Sequence, residues 1–196
     1  MRVSPAIGMS LLILFMGSSG VLGSDFKRQT NSSPAPTSPS FLSEFRFGLS
    51  AQDPWGVEGR DGSANLTGEI LFAKPFTASD LFTSYFIPRP HVGGSLNFDG
   101  KTSFAYAGLS WTIDVTPDVF VEGSFGGAVH NGKDHPLADR QQLGCSPLFR
   151  ESGSVGVRLS ANWSVMATIE HLTDAGTCSD ENRGLTNVGA RVGYSF

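Results

Sequence analysis

The sequence predicts an all-β fold: an eight-stranded antiparallel transmembrane β-barrel, preceded by a signal peptide and a flexible leader. Three observations predict it. From about Ser43 onward the chain breaks into segments of roughly ten residues in which apolar and polar side chains alternate, separated by turn residues. The chain holds 24 glycines and 15 phenylalanines, an enrichment that suits strands apolar on one face only. The N-terminus reads as an export signal.

That signal occupies residues 1–23. Arg2 supplies a positive start, Met9 to Met16 an apolar core, and Val21-Leu22-Gly23 a cleavage site before Ser24. The apolar run is well short of the ~20 residues a membrane-anchor helix needs. Residues 24–42 are rich in Ser, Pro and Thr and hold too little apolar matter to pack, so they read as a flexible leader. The barrel then spans 43–196. The net charge is −4 with no long basic run, which argues against nucleic acid as a partner. In an exported protein the two cysteines, Cys145 and Cys178, are expected to form a disulfide rather than a reactive thiol.

The strands follow in order. Strand 1 covers Ser43–Gln52, with Phe45, Phe47 and Leu49 on one face and Arg46, Gly48 and Ser50 on the other. Strand 2 covers Asn65–Ala73, strand 3 His91–Phe98. Strand 4, Ser103–Val115, carries an unbroken apolar face from Ala105 to Val115 at every second residue. Strand 5 covers Asp118–Val129. In strand 6, Phe149–Ser160, Val155, Val157 and Leu159 oppose Arg150, Ser152, Ser154 and Arg158. Strand 7 covers Trp163–Thr173. In strand 8, Thr186–Phe196, Val188, Ala190, Val192, Tyr194 and Phe196 oppose Asn187, Gly189, Arg191, Gly193 and Ser195.

The polar faces carry both signs of charge: Arg46, Glu69, Glu122, Arg158 and Arg191. An eight-stranded barrel has an interior just wide enough for side chains to fill it, so paired charges there are expected to be structural. Period-two parity cannot decide which face is inside. Val192, Tyr194 and the terminal Phe196 resemble the C-terminal signature of bacterial outer-membrane barrels, which puts the apolar faces toward lipid. With both termini periplasmic, 116–118 and 160–162 are short periplasmic turns, and Asp53–Gly62, Asn131–Leu148 and Asp174–Leu185 are long outer loops, as such barrels have. Lys74–Arg89, Phe-rich and long, is the periplasmic exception. Cys145 and Cys178 both fall in outer loops, so their bond would tie the last two together.

Chemistry points to strand 7. Trp163, Val165, Ala167 and Ile169 make its apolar face, and His171 and Thr173 continue the same parity. A histidine beside a hydroxyl therefore faces lipid at the strand's outer end. An ionisable group in that position is a functional suspect, and a base beside a hydroxyl is a nucleophile arrangement. The competing reading is an interfacial histidine whose ring snorkels to water. His91, His130 and His135 show no metal-ligand spacing, and nothing implies a metal or cofactor.

Several segments carry a family resemblance: 170–176 (Glu-His-Leu-Thr-Asp-Ala-Gly), 182–185 (Asn-Arg-Gly-Leu), the terminal 192–196, and the neighbouring 148–152 and 120–127. Together they resemble the PagL-type lipid A 3-O-deacylases, or acyloxyacyl hydrolases, over most of the chain from Phe45 onward. The resemblance implies an outer-membrane esterase that removes the fatty acid at the 3 position of lipid A. It implies a Ser-His-Glu triad on the outer barrel surface, with the motif His-x-Ser-Asn-Ala. His171 matches the general base, and Thr173 occupies the nucleophile's place. Gly176 and Asn182 match positions that hold the oxyanion, which needs preorganised donors. Asp174 stands for the asparagine and Thr186 near the glutamate, with Glu181 or Asp180 able to substitute if their loop folds back. The implied partners are lipid A or lipopolysaccharide of the outer leaflet and membrane lipid. Pairing into a homodimer is left open. The alternative is a barrel of weakened or lost catalysis with a structural or ligand-binding role. Thr173, Asp174 and Thr186 favour that alternative; His171, Gly176 and Asn182 favour the hydrolase.

Overall fold

A computed structural model describes residues 41–133, 140–178 and 184–196. The expected signal peptide and most of the expected leader lie outside the described residues, as do Asp180, Glu181 and Asn182. Eight strands close into one antiparallel barrel in sequence order, with β1 (Leu42–Gln52) pairing both β2 (Ala64–Phe72) and β8 (Leu185–Ser195). Between them run β3 (Arg89–Asn97), β4 (Phe104–Asp114), β5 (Val119–His130), β6 (Leu148–Arg158) and β7 (Trp163–Thr173). Closure leaves no unpaired edge, which a strand structure in lipid requires. A six-residue helix, α1 (Leu81–Phe86), lies in the long β2–β3 connection.

Strand parity sorts the side chains as the alternation implies. Phe47, Leu49, Val155, Ile169 and Val192 are exposed on the outer wall, while Glu44, Arg46, Asn187 and Arg191 are buried in the lumen. Apolar outside and charged inside is the inverse of a soluble barrel and the arrangement lipid selects.

The lumen charges form an alternating ladder. Arg89 and Arg46 both hold Glu44 (2.8 and 2.9 Å), and Arg89 holds Glu122 (3.0 Å), which Arg46 also grips. Arg191 bridges Glu69 and Glu170 at 3.1 Å each, and Arg150 meets Glu170 at 2.7 Å. Arg150 also lies 3.7 Å from the centroid of the Tyr106 ring. Arg158 pairs instead with Asp114, at the more exposed periplasmic rim. The paired charges are thus structural, as the narrow lumen implied.

Toward the outer loops the lumen turns apolar, packed by Phe104, Leu143, Leu148, Leu172 and Leu185. Above it sits Glu58, fully buried. Its carboxylate accepts from Gln52, from the Thr102 hydroxyl (2.7 Å) and from the Gln141 amide (3.0 Å). One buried acid therefore ties three outer loops, satisfied on every side as burial demands. The expected disulfide joins Cys145 to Cys178 and links the last two outer loops.

Candidate active site

Barrel register places the site. His171 on β7 lies opposite Thr186 on β8 and opposite Glu151 on β6. The β1–β8 ladder runs on past Gln52 and Asn187, so the Asp53 amide bonds the Thr186 carbonyl at 2.7 Å. Glu151, His171, Thr186 and Asp53 thus follow one another across four adjacent strands at the outer end of the wall.

Within this row His171 Nδ1 lies 2.8 Å from Thr186 Oγ1. Thr186, the position where the family resemblance expects an acid, thus reaches the imidazole with a hydroxyl. If Nδ1 carries the proton and donates to that hydroxyl, Nε2 keeps the lone pair a base needs. Gly184, at φ +69, packs against the Cε1–Nε2 edge of the same ring. A Cβ there would lie 2.5 Å from Cε1 and 2.6 Å from Nε2. Only glycine leaves the imidazole its place.

Thr173 sits two residues on, sharing the outward parity. Its hydroxyl accepts the Ala175 amide at 3.1 Å, and among the described residues no hydrogen bond joins it to His171. Gly176 has φ +75 and donates its amide to Asp174 Oδ1 at 2.9 Å, while Asp174 Oδ2 takes the Cys178 amide at 3.2 Å. The Asp174 carboxylate thus occupies a donor that the resemblance assigns to an oxyanion.

Asp53 was invisible to motif reading. It is only 7% exposed and has φ +48, a conformation uncommon outside glycine and worth notice near functional groups. Its Oδ2 accepts the Glu58 amide at 3.3 Å. Burial pushes its carboxyl above the ordinary aspartate range and the Glu58 charge pushes the same way, while the Glu58 and Thr186 amides and the His171 ring act against both. The register of a closed β1–β8 seam is the signal that would have found it.

Below His171 the outer wall is hollow. Gly123 and Gly153 face each other across β5 and β6, and a Cβ on Gly123 would meet nothing within 4 Å. They floor a groove of about 550 Å³ between Ile169 and Trp111, with Phe125, Glu151 and His171 at its upper end. That volume is within the range of small-molecule sites. Among the described residues no group of three His, Cys, Asp or Glu side chains could hold a metal ion.

An apolar outer wall around a charged lumen is the construction of an outer-membrane barrel. The family model for lipid A 3-O-deacylase (PagL) matches residues 45–195, and the chain belongs to that family. A crystal structure of the outer membrane enzyme PagL superposes with a TM-score of 0.60 at 14% identity, covering 79% of this chain and all of that one. A de novo designed transmembrane β-barrel (TM-score 0.49, 14% identity, 82% of this chain, 98% of that one) and the outer membrane protein Ail of Yersinia pestis (0.46, 11%, 80%, all of that one) are more distant. No curated protein matches the chain.

Proposed function

We propose that this protein hydrolyses the ester that links an acyl chain to the 3 position of lipid A. The observation that carries this reading is His171: a histidine on the lipid-facing wall, with Nδ1 engaged by Thr186, above a glycine-floored groove of about 550 Å³.

The steps follow from that geometry. The acyl chain lies in the groove, which brings its ester carbonyl to the level of His171. A turn of the Thr173 hydroxyl away from Ala175 presents it to Nε2, which takes its proton as the oxygen attacks the carbonyl carbon. The tetrahedral oxyanion needs donors: the Gly176 amide, released by Asp174, and Asn182. Collapse breaks the bond to the sugar oxygen, which takes the proton from the imidazolium, and leaves the acyl group on Thr173. Water, deprotonated by Nε2, then releases the fatty acid. Thr186 holds the ring, and Asp53 behind it supplies negative charge while the imidazolium exists.

A second reading has its own observation. The Thr173 hydroxyl and the Gly176 amide are both engaged within their own loop, which suits a barrel that binds lipid A without cleaving it. Mass spectrometry of lipid A incubated with the refolded protein in micelles separates the two. A product lighter by one hydroxy fatty acid, absent with His171→Ala, establishes the hydrolase. Unchanged lipid A beside a folded barrel overturns the hydrolase, and retention of that lipid A on the barrel then supports the binder.

A further inference from the structure

The β2–β3 connection at the periplasmic end carries Phe76, Leu81, Phe82 and Phe86 with 64 to 73% of their surface uncovered. So many large apolar side chains in one short segment is not how a segment bathed in water is built. The segment is also ordered by its own polar groups. Asp80 caps α1 by accepting the Thr83 amide at 2.8 Å, and Lys74 Nζ bonds the Ser84 hydroxyl at 3.0 Å.

The helix has two sides. Ser84 and Tyr85, with Lys74, line the periplasmic mouth of the lumen beside Glu44 and Arg89. Phe82 and Phe86, one turn apart, pack edge to face with centroids 5.1 Å apart. That apolar side continues the barrel's lipid-facing surface, because the ring N–H of Trp111, on the outer wall of β4, donates to the Phe86 carbonyl at 3.3 Å.

The same end of the barrel carries aromatics on other strands. Phe45 packs on Phe196 (5.2 Å), Phe196 on Tyr194 (5.5 Å), and Tyr194 on Trp163 (4.9 Å). This is an aromatic girdle of the kind that marks a membrane boundary, built on β1, β7 and β8. The corresponding outward positions of β3 are Pro90 and Val92. There α1 supplies phenylalanines in their stead.

We propose that the 73–88 connection is a membrane anchor. Phe76, Phe82 and Phe86 insert at the boundary between headgroups and acyl chains of the phospholipid leaflet on the periplasmic side, and so close the inner girdle over β3 and β4. The occupant of this surface is phospholipid, because the apolar side is continuous through Trp111 with the wall that already faces lipid. The anchor fixes the height of the barrel, and so of His171 at its other end, relative to the bilayer.

The test uses the full barrel refolded into phosphatidylethanolamine–phosphatidylglycerol vesicles, with the native disulfide oxidised and one nitroxide label at Phe82→Cys. Collision with oxygen and with a water-soluble nickel chelate reports the label's depth. The expected result is shielding from nickel by about tenfold relative to Asp118→Cys in a short turn, approaching Val155→Cys on the outer wall. A label as open to nickel as that at position 118 would overturn the proposal. A second measurement, free of the label, compares the double variant Phe82→Asp, Phe86→Asp with the native protein. The yield of folded barrel should fall about tenfold in vesicles and stay unchanged in detergent micelles. Equal yields in the two media would overturn it as well.

Discussion

The inner and outer walls of this barrel use the same residue types in opposite ways. Inside, four arginines (46, 89, 150 and 191) and four glutamates (44, 69, 122 and 170) alternate, each acid held by at least one guanidinium. Outside, Glu151, His171, Thr186 and Asp53 form a row that carries no guanidinium or ammonium of its own. The inner ladder is charge exhausted by pairing, so it can stabilise but not react. The outer row holds an imidazole engaged through Nδ1, with acids flanking it on either side. What distinguishes scaffold from site here is not the presence of charge but its partner: a guanidinium for every acid of the ladder, a hydroxyl for the outer imidazole.

Removing the base should have the largest effect. His171→Ala is expected to cost at least ~10³-fold in lipid A deacylation, with heat-modifiable gel mobility unchanged. Glu122→Gln attacks the other wall. It leaves Arg46 and Arg89 short of a buried partner and should lower stability by about 3–5 kcal/mol, read as a shifted urea midpoint, while the folded fraction keeps its specific activity. Asp53→Asn should lower kcat about tenfold, the size of a charge missing near the imidazolium, and leave the urea midpoint in place. Gly153→Val fills the groove floor, where a Cβ finds only the Ile169 methyl at 3.9 Å. KM for lipid A should rise about tenfold, with hydrolysis of a short soluble ester unaffected. Thr173→Ser should have the smallest effect, a gain of about threefold as the methyl that stiffens χ1 is lost.

Most of the barrel was legible because its signal is local. Alternation along β7 is enough to put His171 and Thr173 on one wall, and β7 has the bounds that alternation implied. The terminal aromatics decided which wall faced lipid. What escaped was made by closure. Asp53 meets Thr186 only because β1 pairs with β8, a contact between the two ends of the barrel that no local period encodes. Gly184 was part of a quoted motif, but its reason, the imidazole edge where a Cβ would stand, exists only in three dimensions. Helix α1 escaped for a different cause: six residues are too few to show a helical period, and its phenylalanines read simply as a hydrophobic stretch.

The Cys145–Cys178 bond has a topological consequence. Those residues bracket β6 and β7, whose other ends are joined by the turn at 159–162, so the bond turns that hairpin into a covalent ring. Glu151, Gly153, Ile169, His171 and Thr173 all lie on this ring. In the unfolded chain the ring forbids the two strands from drifting apart, an entropic restriction of roughly 3–4 kcal/mol for a loop of this length. A cut at the 159–162 turn would still leave both strands tethered to each other at their outer ends, beside the histidine.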